Sequence, residues 1–395
     1  MSAAAEVSVP DEDRLQHGSA VNAIAGPTVF GHDAGMEPAF VPGLRLSERY
    51  YREAVEPLLD KHFPALRYTS ARIGSGSEVL GFDTERSADH DWGPGLQLFL
   101  APEDTEKHAA AITGMLADEL PKTFLGYPTH FVPGGGDVRH MRLTDGPVHH
   151  RVEVTDLGCW FENHLGFDPR RSIGVSDWLA TPTQTLAEAT AGAVFHDGLA
   201  QLVPARENLR WYSDDVWRYV LACQWQRVSQ EEAFVGRCGE VGDELGSAVV
   251  AARLVRDLMR LCLLMARRYP PYGKWLGSAF TRLPCAKDLP LAEVLSATGW
   301  RDRERHLARV YETAGALHNE LGLTKPVGPG TRPYHDRPFR VLHAERFAEA
   351  LTASVTDPEV AALPRLGAVD QYLDSTDLLD DRERTRAAAD AVLRR

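Results

Sequence analysis

The residues best suited to chemistry are Gly76-Ser77-Glu78-Val79-Leu80-Gly81 and, after seven more residues, Asp89-His90-Asp91-Trp92. A glycine-serine turn that enters a helix leaves backbone N–H groups free, and phosphate oxygens sit on such groups at helix N-termini. Carboxylates at i and i+2 of a strand project from one face. Asp89 and Asp91 would then offer what Mg²⁺ takes, a few carboxylates with phosphate oxygens and water in its other positions. Together these residues predict metal-dependent nucleotidyl-transfer chemistry.

Two Gly-Ser pairs stand in a row. Gly74-Ser75 directly follows the apolar Ile73, whereas Gly76-Ser77 has Gly81 at the fifth position after Gly76 and Asp89-x-Asp91 beyond it. The second spacing resembles the nucleotidyltransferase superfamily that includes polymerase β and the antibiotic nucleotidyltransferases, departing from it in Ser75 before Gly76 and in the non-aliphatic His90. The resemblance implies Mg²⁺ as cofactor, ATP or another nucleoside triphosphate as co-substrate, Asp89 and Asp91 as catalytic metal ligands, and Gly76 and Ser77 against phosphate. It also implies a third acid between apolar residues on a neighbouring strand. Glu153 in Val152-Glu153-Val154 has that form and would complete the metal site or take the proton from the acceptor alcohol; Asp156 is its rival. In antibiotic nucleotidyltransferases a lysine of the helical domain reaches the triphosphate, and by resemblance Lys274 is the candidate. A wider set of segments, from the glycine-serine turn through Asp177-Trp178-Leu179 to Tyr272-x-Lys274-Trp275, is similar to an uncharacterised bacterial nucleotidyltransferase-like family over roughly residues 43–350.

The elements that must position these residues are legible in the hydrophobic pattern. Residues 1–40 are rich in Ala, Gly, Pro and acids without a sustained period, which predicts a disordered tail. Apolar residues at helical spacing predict a helix over 46–62 with Ser47 as its cap, then a strand over 66–73, a strand region carrying the carboxylates into 97–100, and an acid-led helix over 103–120. Strands are expected over 123–132 and 151–157. Beyond residue 181 the pattern predicts helices alone, over 183–190, 214–228, 231–264 with a break, 290–298 and 302–321. The fold class is therefore α+β: a polymerase-β-like domain with a small mixed sheet over 41–180, followed by a helical bundle over 181–395.

The formal net charge of −13 opposes binding to a nucleic-acid backbone and favours a cationic partner. Five scattered cysteines without a Cys-x-x-Cys pair read as reduced thiols of a cytoplasmic protein. The most apolar stretch, 248–266, is broken by Arg253, Arg256, Asp257 and Arg260, so no membrane span is expected. Gly242-Asp243-Glu244-Leu245-Gly246 reads as the cap of a helix beginning near Ser247, with an amino group of a cationic acceptor as its alternative partner, and His140, His149 and His150 match no zinc-ligand spacing. The expected reaction is transfer of AMP from ATP to a hydroxyl of a small, cationic, antibiotic-like molecule, with release of pyrophosphate. The alternatives are transfer to tRNA or protein, and a nucleotide-binding module without catalysis.

Overall fold

The computed structural model describes residues 38–134 and 138–394. Four strands form its central sheet in the order Arg151–Asp156, Gly95–Leu100, Tyr68–Arg72, Ala193–Asp197. The first two are parallel, joined by a crossover through the helix Pro102–Glu119, and the other pairings are antiparallel. The chain is thus α+β with a small mixed sheet.

Strand alternation sorts the side chains between two cores. Leu96, Leu98, Leu100 and Val152 pack with Tyr50, Trp92, Ile112 and Leu116 on one face. Phe99, Ala71 and Ile73 join the large core built by the helices after residue 157. Gln97 and Glu153 are partners in the parallel register, and both lie at odd positions of their strands, on the face opposite Leu96 and Val152.

Several elements differ from expectation. Helical backbone runs from Gly43 to His62, but Ser47 is buried inside it and Pro42 precedes it. A π-helical stretch, Tyr51–Val55, interrupts the run where Pro57 has no N–H to offer the carbonyl four residues back. Residues 1–37 of the expected tail lie outside the described residues. Phe40, its last member, is ordered against Trp92, with ring centroids 5.8 Å apart.

The strand Ala193–Asp197 falls where only helices were expected. It completes the sheet beside Tyr68–Arg72, entering through Gly192 (φ +74°), whose Cβ would lie 2.0 Å from the Arg72 carbonyl oxygen. A side chain there would block the pairing. The long helices Asp214–Glu231, Glu244–Met265 and Trp300–Glu320 follow. The C-terminal helix Arg382–Leu393 returns to the helix Val175–Ala180, where Arg386 pairs with Asp177 at 2.5 Å. No helix among the described residues is long and apolar enough to cross a membrane.

Candidate active site

Arg72 ends its strand and turns beneath the segment that follows. Its guanidinium donates to the carbonyls of Ile73 (2.9 Å) and Ser75 (2.7 Å) and twice to Glu78 Oε1 (3.0 and 2.6 Å). Both side chains are buried, with 4% and 1% of their surface exposed. One ion pair therefore folds residues 73–78 around itself. Gly76 (φ +150°) permits this, because a Cβ there would lie 2.6 Å from both Arg72 Nη2 and Glu78 Oε2. Burial alone would raise the Glu78 carboxyl, but Arg72 and Arg151 hold it below its ordinary range.

The helix expected after this turn does not form. Residues 77–81 are successive turns, in which Val79 and Gly81 N–H groups donate to the carbonyls of Gly76 and Glu78, each at 3.2 Å. Those N–H groups are consumed locally. Ser75, not Ser77, lies on the walls of the cavities described below.

Asp89 and Asp91 lie on a loop ahead of the strand rather than within it. The strand begins only at Gly95, since Gly93 (φ +134°) bends the chain and Pro94 has no N–H for a ladder. Asp89 closes a short 3₁₀ turn, with Oδ1 2.7 Å from His90 Nδ1. Asp91 is left-handed (φ +46°), a conformation aspartate tolerates better than most residues. It is locked by a reciprocal pair: its N–H donates to the Arg139 carbonyl (2.9 Å) and the Arg139 N–H donates to its Oδ1 (3.0 Å).

Glu153 occupies its expected place on the sheet, beside Gln97, whose Oε1 accepts from Ile73 N–H at 3.2 Å. Burial raises the Glu153 carboxyl, opposed by Gln97, Arg72 and Arg139. Asp156 has another task, capping the helix Leu157–Leu165 by accepting from Cys159 N–H at 2.9 Å.

Two cavities open around these groups. A basic one of about 580 Å³ has Gln97 and Glu153 on its wall, with Gly74, Ser75, Arg72, Arg139, Arg151 and His150 around them. Burial lowers Arg151 to about 10, so it stays charged at neutral pH, and its nearest counter-ion, Glu78 at 3.5 Å, is already engaged by Arg72. The second cavity, of about 1000 Å³, is acidic: Asp91, Glu188, Asp370, Asp374, Asp380, Asp381 and Glu383 line it, against Arg260 and Arg382, with Tyr272 and Trp275. Ser75, Asn163 and His164 border both.

Glu188 stands at that junction, on the helix Thr183–Thr190. Its carboxylate accepts from Ser75 Oγ (3.3 Å) and Gln184 Nε2 (2.7 Å), and its carbonyl from Gly74 N–H (3.0 Å). His164 Nε2 lies 3.6 Å from Glu188 Oε2, with its ring stacked on Trp160 at 4.6 Å. Burial raises the Glu188 carboxyl and pushes His164 down to about 4, so the imidazole is neutral at pH 7. Nothing in the sequence marked Glu188 except its i,i+4 spacing from Gln184 on one helical face.

The helical part does reach the turn, through aromatic residues. Trp275 stacks on Phe82 (5.5 Å, 17°), and the Arg282 guanidinium lies over the Phe82 ring at 4.0 Å from its centroid while donating to the Gly81 carbonyl. Lys274 is exposed, its Nζ 5.5 Å from the Trp275 ring centroid, whereas its neighbours Gly273 and Trp275 border the acidic cavity. Asp243 caps the helix Glu244–Met265, accepting from Gly246 N–H at 2.7 Å, as its sequence context predicts.

Among the described residues no group of three or more His, Cys, Asp or Glu side chains converges to hold a metal ion. Asp91 and Glu153 border adjoining cavities, and Arg139 lies beside both.

Among curated proteins none matches this sequence. Residues 178–276, about a quarter of the chain, match the model of a family described as Domain of unknown function (DUF4037), a segment that holds Glu188, Tyr272 and Trp275 but neither the glycine-serine turn nor Asp91 and Glu153.

Proposed function

We propose that this chain is a Mg²⁺-dependent nucleotidyltransferase with a polymerase-β-like domain, which transfers AMP from ATP to a hydroxyl of a small cationic acceptor and releases pyrophosphate. The observation that supports it is the meeting of a basic and an acidic cavity at Ser75, Asn163 and His164. Phosphates of a nucleotide match the first, where Arg139 and Arg151 supply charge beside the Ser75 hydroxyl. A cationic acceptor matches the second, whose seven carboxylates would repel a nucleic-acid backbone and so favour a small molecule over tRNA.

Asp91 and Glu153 would hold Mg²⁺, which when bound neutralises charge on the transferring phosphoryl group. The chain's own residues perform the rest. Arg72 and Glu78 fix the turn so that Ser75 stands between the two substrates. Arg151, short of a counter-ion, orients the phosphates and stabilises charge on the departing pyrophosphate. Trp275 and Tyr272 give the acceptor an apolar wall.

The test is a coupled assay for pyrophosphate with ATP, Mg²⁺ and a panel of amino-sugars. Release that needs both metal and acceptor is the expected result; ATP binding without turnover across the panel would favour a nucleotide-binding module instead.

A further inference from the structure

Nucleotidyl transfer to an alcohol needs a proton acceptor on the acceptor's side of the α-phosphorus. Glu153, Asp91 and Glu188 are among the carboxylates that line the two cavities. Glu153 belongs to the basic cavity alone, with Gln97 beside it and Arg72 and Arg139 near it. Asp91 faces the acidic cavity, but its Oδ1 is engaged by the Arg139 N–H. Glu188 borders the acidic cavity and also touches Ser75 and faces His164, two of the three residues both cavities share.

We propose that Glu188 is the general base of the transfer, taking the proton from the acceptor hydroxyl as that oxygen attacks the α-phosphorus. This rests on the nucleotidyltransferase reading above. In the step a bond forms between the hydroxyl oxygen and the α-phosphorus, and the bond from that phosphorus to the α,β-bridging oxygen breaks. Pyrophosphate leaves with the electron pair, and the proton ends on the Glu188 carboxylate.

The surroundings of Glu188 suit a base more than an ion pair. Its side chain is only 12% exposed. The groups facing it are His164 from the helix Leu157–Leu165, Arg72 from the sheet, Tyr272 ahead of the helix Gly273–Thr281, and Asp380 from the C-terminal segment. Burial is the first cause of its raised carboxyl and Asp380 adds to it, while Gln184, Ser75 and Arg72 oppose. Among the described residues no cation forms a salt bridge with it except His164, which is neutral at pH 7, and His164 Nε2 is buried without a hydrogen-bond partner. A carboxylate so placed accepts a proton more readily than an exposed one.

A purely structural Glu188 and a catalytic one separate cleanly in the variant Glu188→Gln. The amide keeps the shape and the Gln184 and Ser75 contacts but cannot take a proton. With Mg²⁺-ATP and glucosamine as the probe acceptor, kcat is expected to fall on the order of 10²–10⁴-fold with KM for ATP nearly unchanged. The melting temperature should hold or rise, because a buried charge is removed. The acidic limb of the wild-type kcat profile should vanish in Glu188→Gln and persist, at a lower rate, in Glu188→Asp. A Glu188→Gln enzyme within about fivefold of wild-type kcat overturns the proposal and leaves nucleotidyl transfer standing. A variant that melts lower and loses ATP binding overturns it in favour of a scaffold role. Wild-type protein that releases no pyrophosphate from ATP overturns both.

Discussion

Replacing Glu78 should destabilise the fold by more than any other single change in the turn. In the wild type one oxygen, Oε1, receives Arg72 at 2.6 and 3.0 Å, and Arg151 stands 3.5 Å away. With the carboxylate gone, two guanidiniums, one of them 4% exposed, share no anion within contact distance. Removing one partner of a buried pair costs about 3–5 kcal/mol, because the remaining charge stays desolvated. Glu78→Gln retains one acceptor for Arg72 and belongs at about 3 kcal/mol, and Glu78→Ala at the upper end. Across the folded unit Pro38–Arg395 that is a loss of roughly 4–7 °C in Tm. Urea melts followed by circular dichroism measure it directly. The pH dependence has a defined sign: the folded carboxyl lies below its ordinary value of 4.5, so its contribution is present above that value and is lost as pH falls through the lower folded one. The gap between wild type and Glu78→Gln should therefore narrow in acid. A loss under about 1 kcal/mol, or a gap unchanged down to about pH 3, would refute the reasoning.

Three further outcomes are expected. Arg151→Gln should weaken binding of ATP by at least about tenfold in titration calorimetry, while Lys274→Ala, exposed and off the cavity walls, should change it by less than about threefold. Protonating His164 in the folded state is costly, since its value of about 4 lies below the ordinary 6.5; about 3 kcal/mol present above pH 6.5 is lost between 6.5 and 4, and His164→Phe should flatten that part of the stability profile in urea melts. Ser75→Ala should lower turnover in the pyrophosphate assay by about tenfold and Ser77→Ala should not, because only Ser75 borders the cavities.

Periodicity made the sheet strands legible where one face is apolar. Residues 97–100 and 151–157 read as strands, while Glu153 itself came from the resemblance and the structure sets it on the face opposite Val152. Ala193–Asp197 was illegible because five residues between Gly192 and Gly198 carry too little period to stand out among helices. Ser47 as a cap failed because a serine at helical spacing is equally able to sit buried within the helix.

At the site, the sequence pointed to the glycine-serine segment, and the two Gly-Ser pairs take different places in the structure. Gly76 both serves the Arg72–Glu78 clamp and lines the acidic cavity, Ser75 borders both cavities, and Ser77 borders neither. That clamp joins residues six apart by a buried ion pair, which no periodic pattern encodes. Asp89 and Asp91, expected on a strand, lie on a loop because Gly93 bends the chain and Pro94 offers no N–H to a ladder. Glu188 comes from a helix more than a hundred residues beyond Ser75, and only tertiary packing reveals their contact.

The central claim is that nucleotide phosphates sit between Ser75 and the arginines of the basic cavity while a cation bridges them to Asp91 and Glu153. A crystal structure with Mg²⁺ and a non-hydrolysable ATP analogue tests it most directly. The account predicts phosphate oxygens on Ser75, Arg139 and Arg151, and a metal ion touching Asp91 and Glu153. A nucleotide bound elsewhere, or phosphates here with no metal at those carboxylates in saturating Mg²⁺, would contradict it.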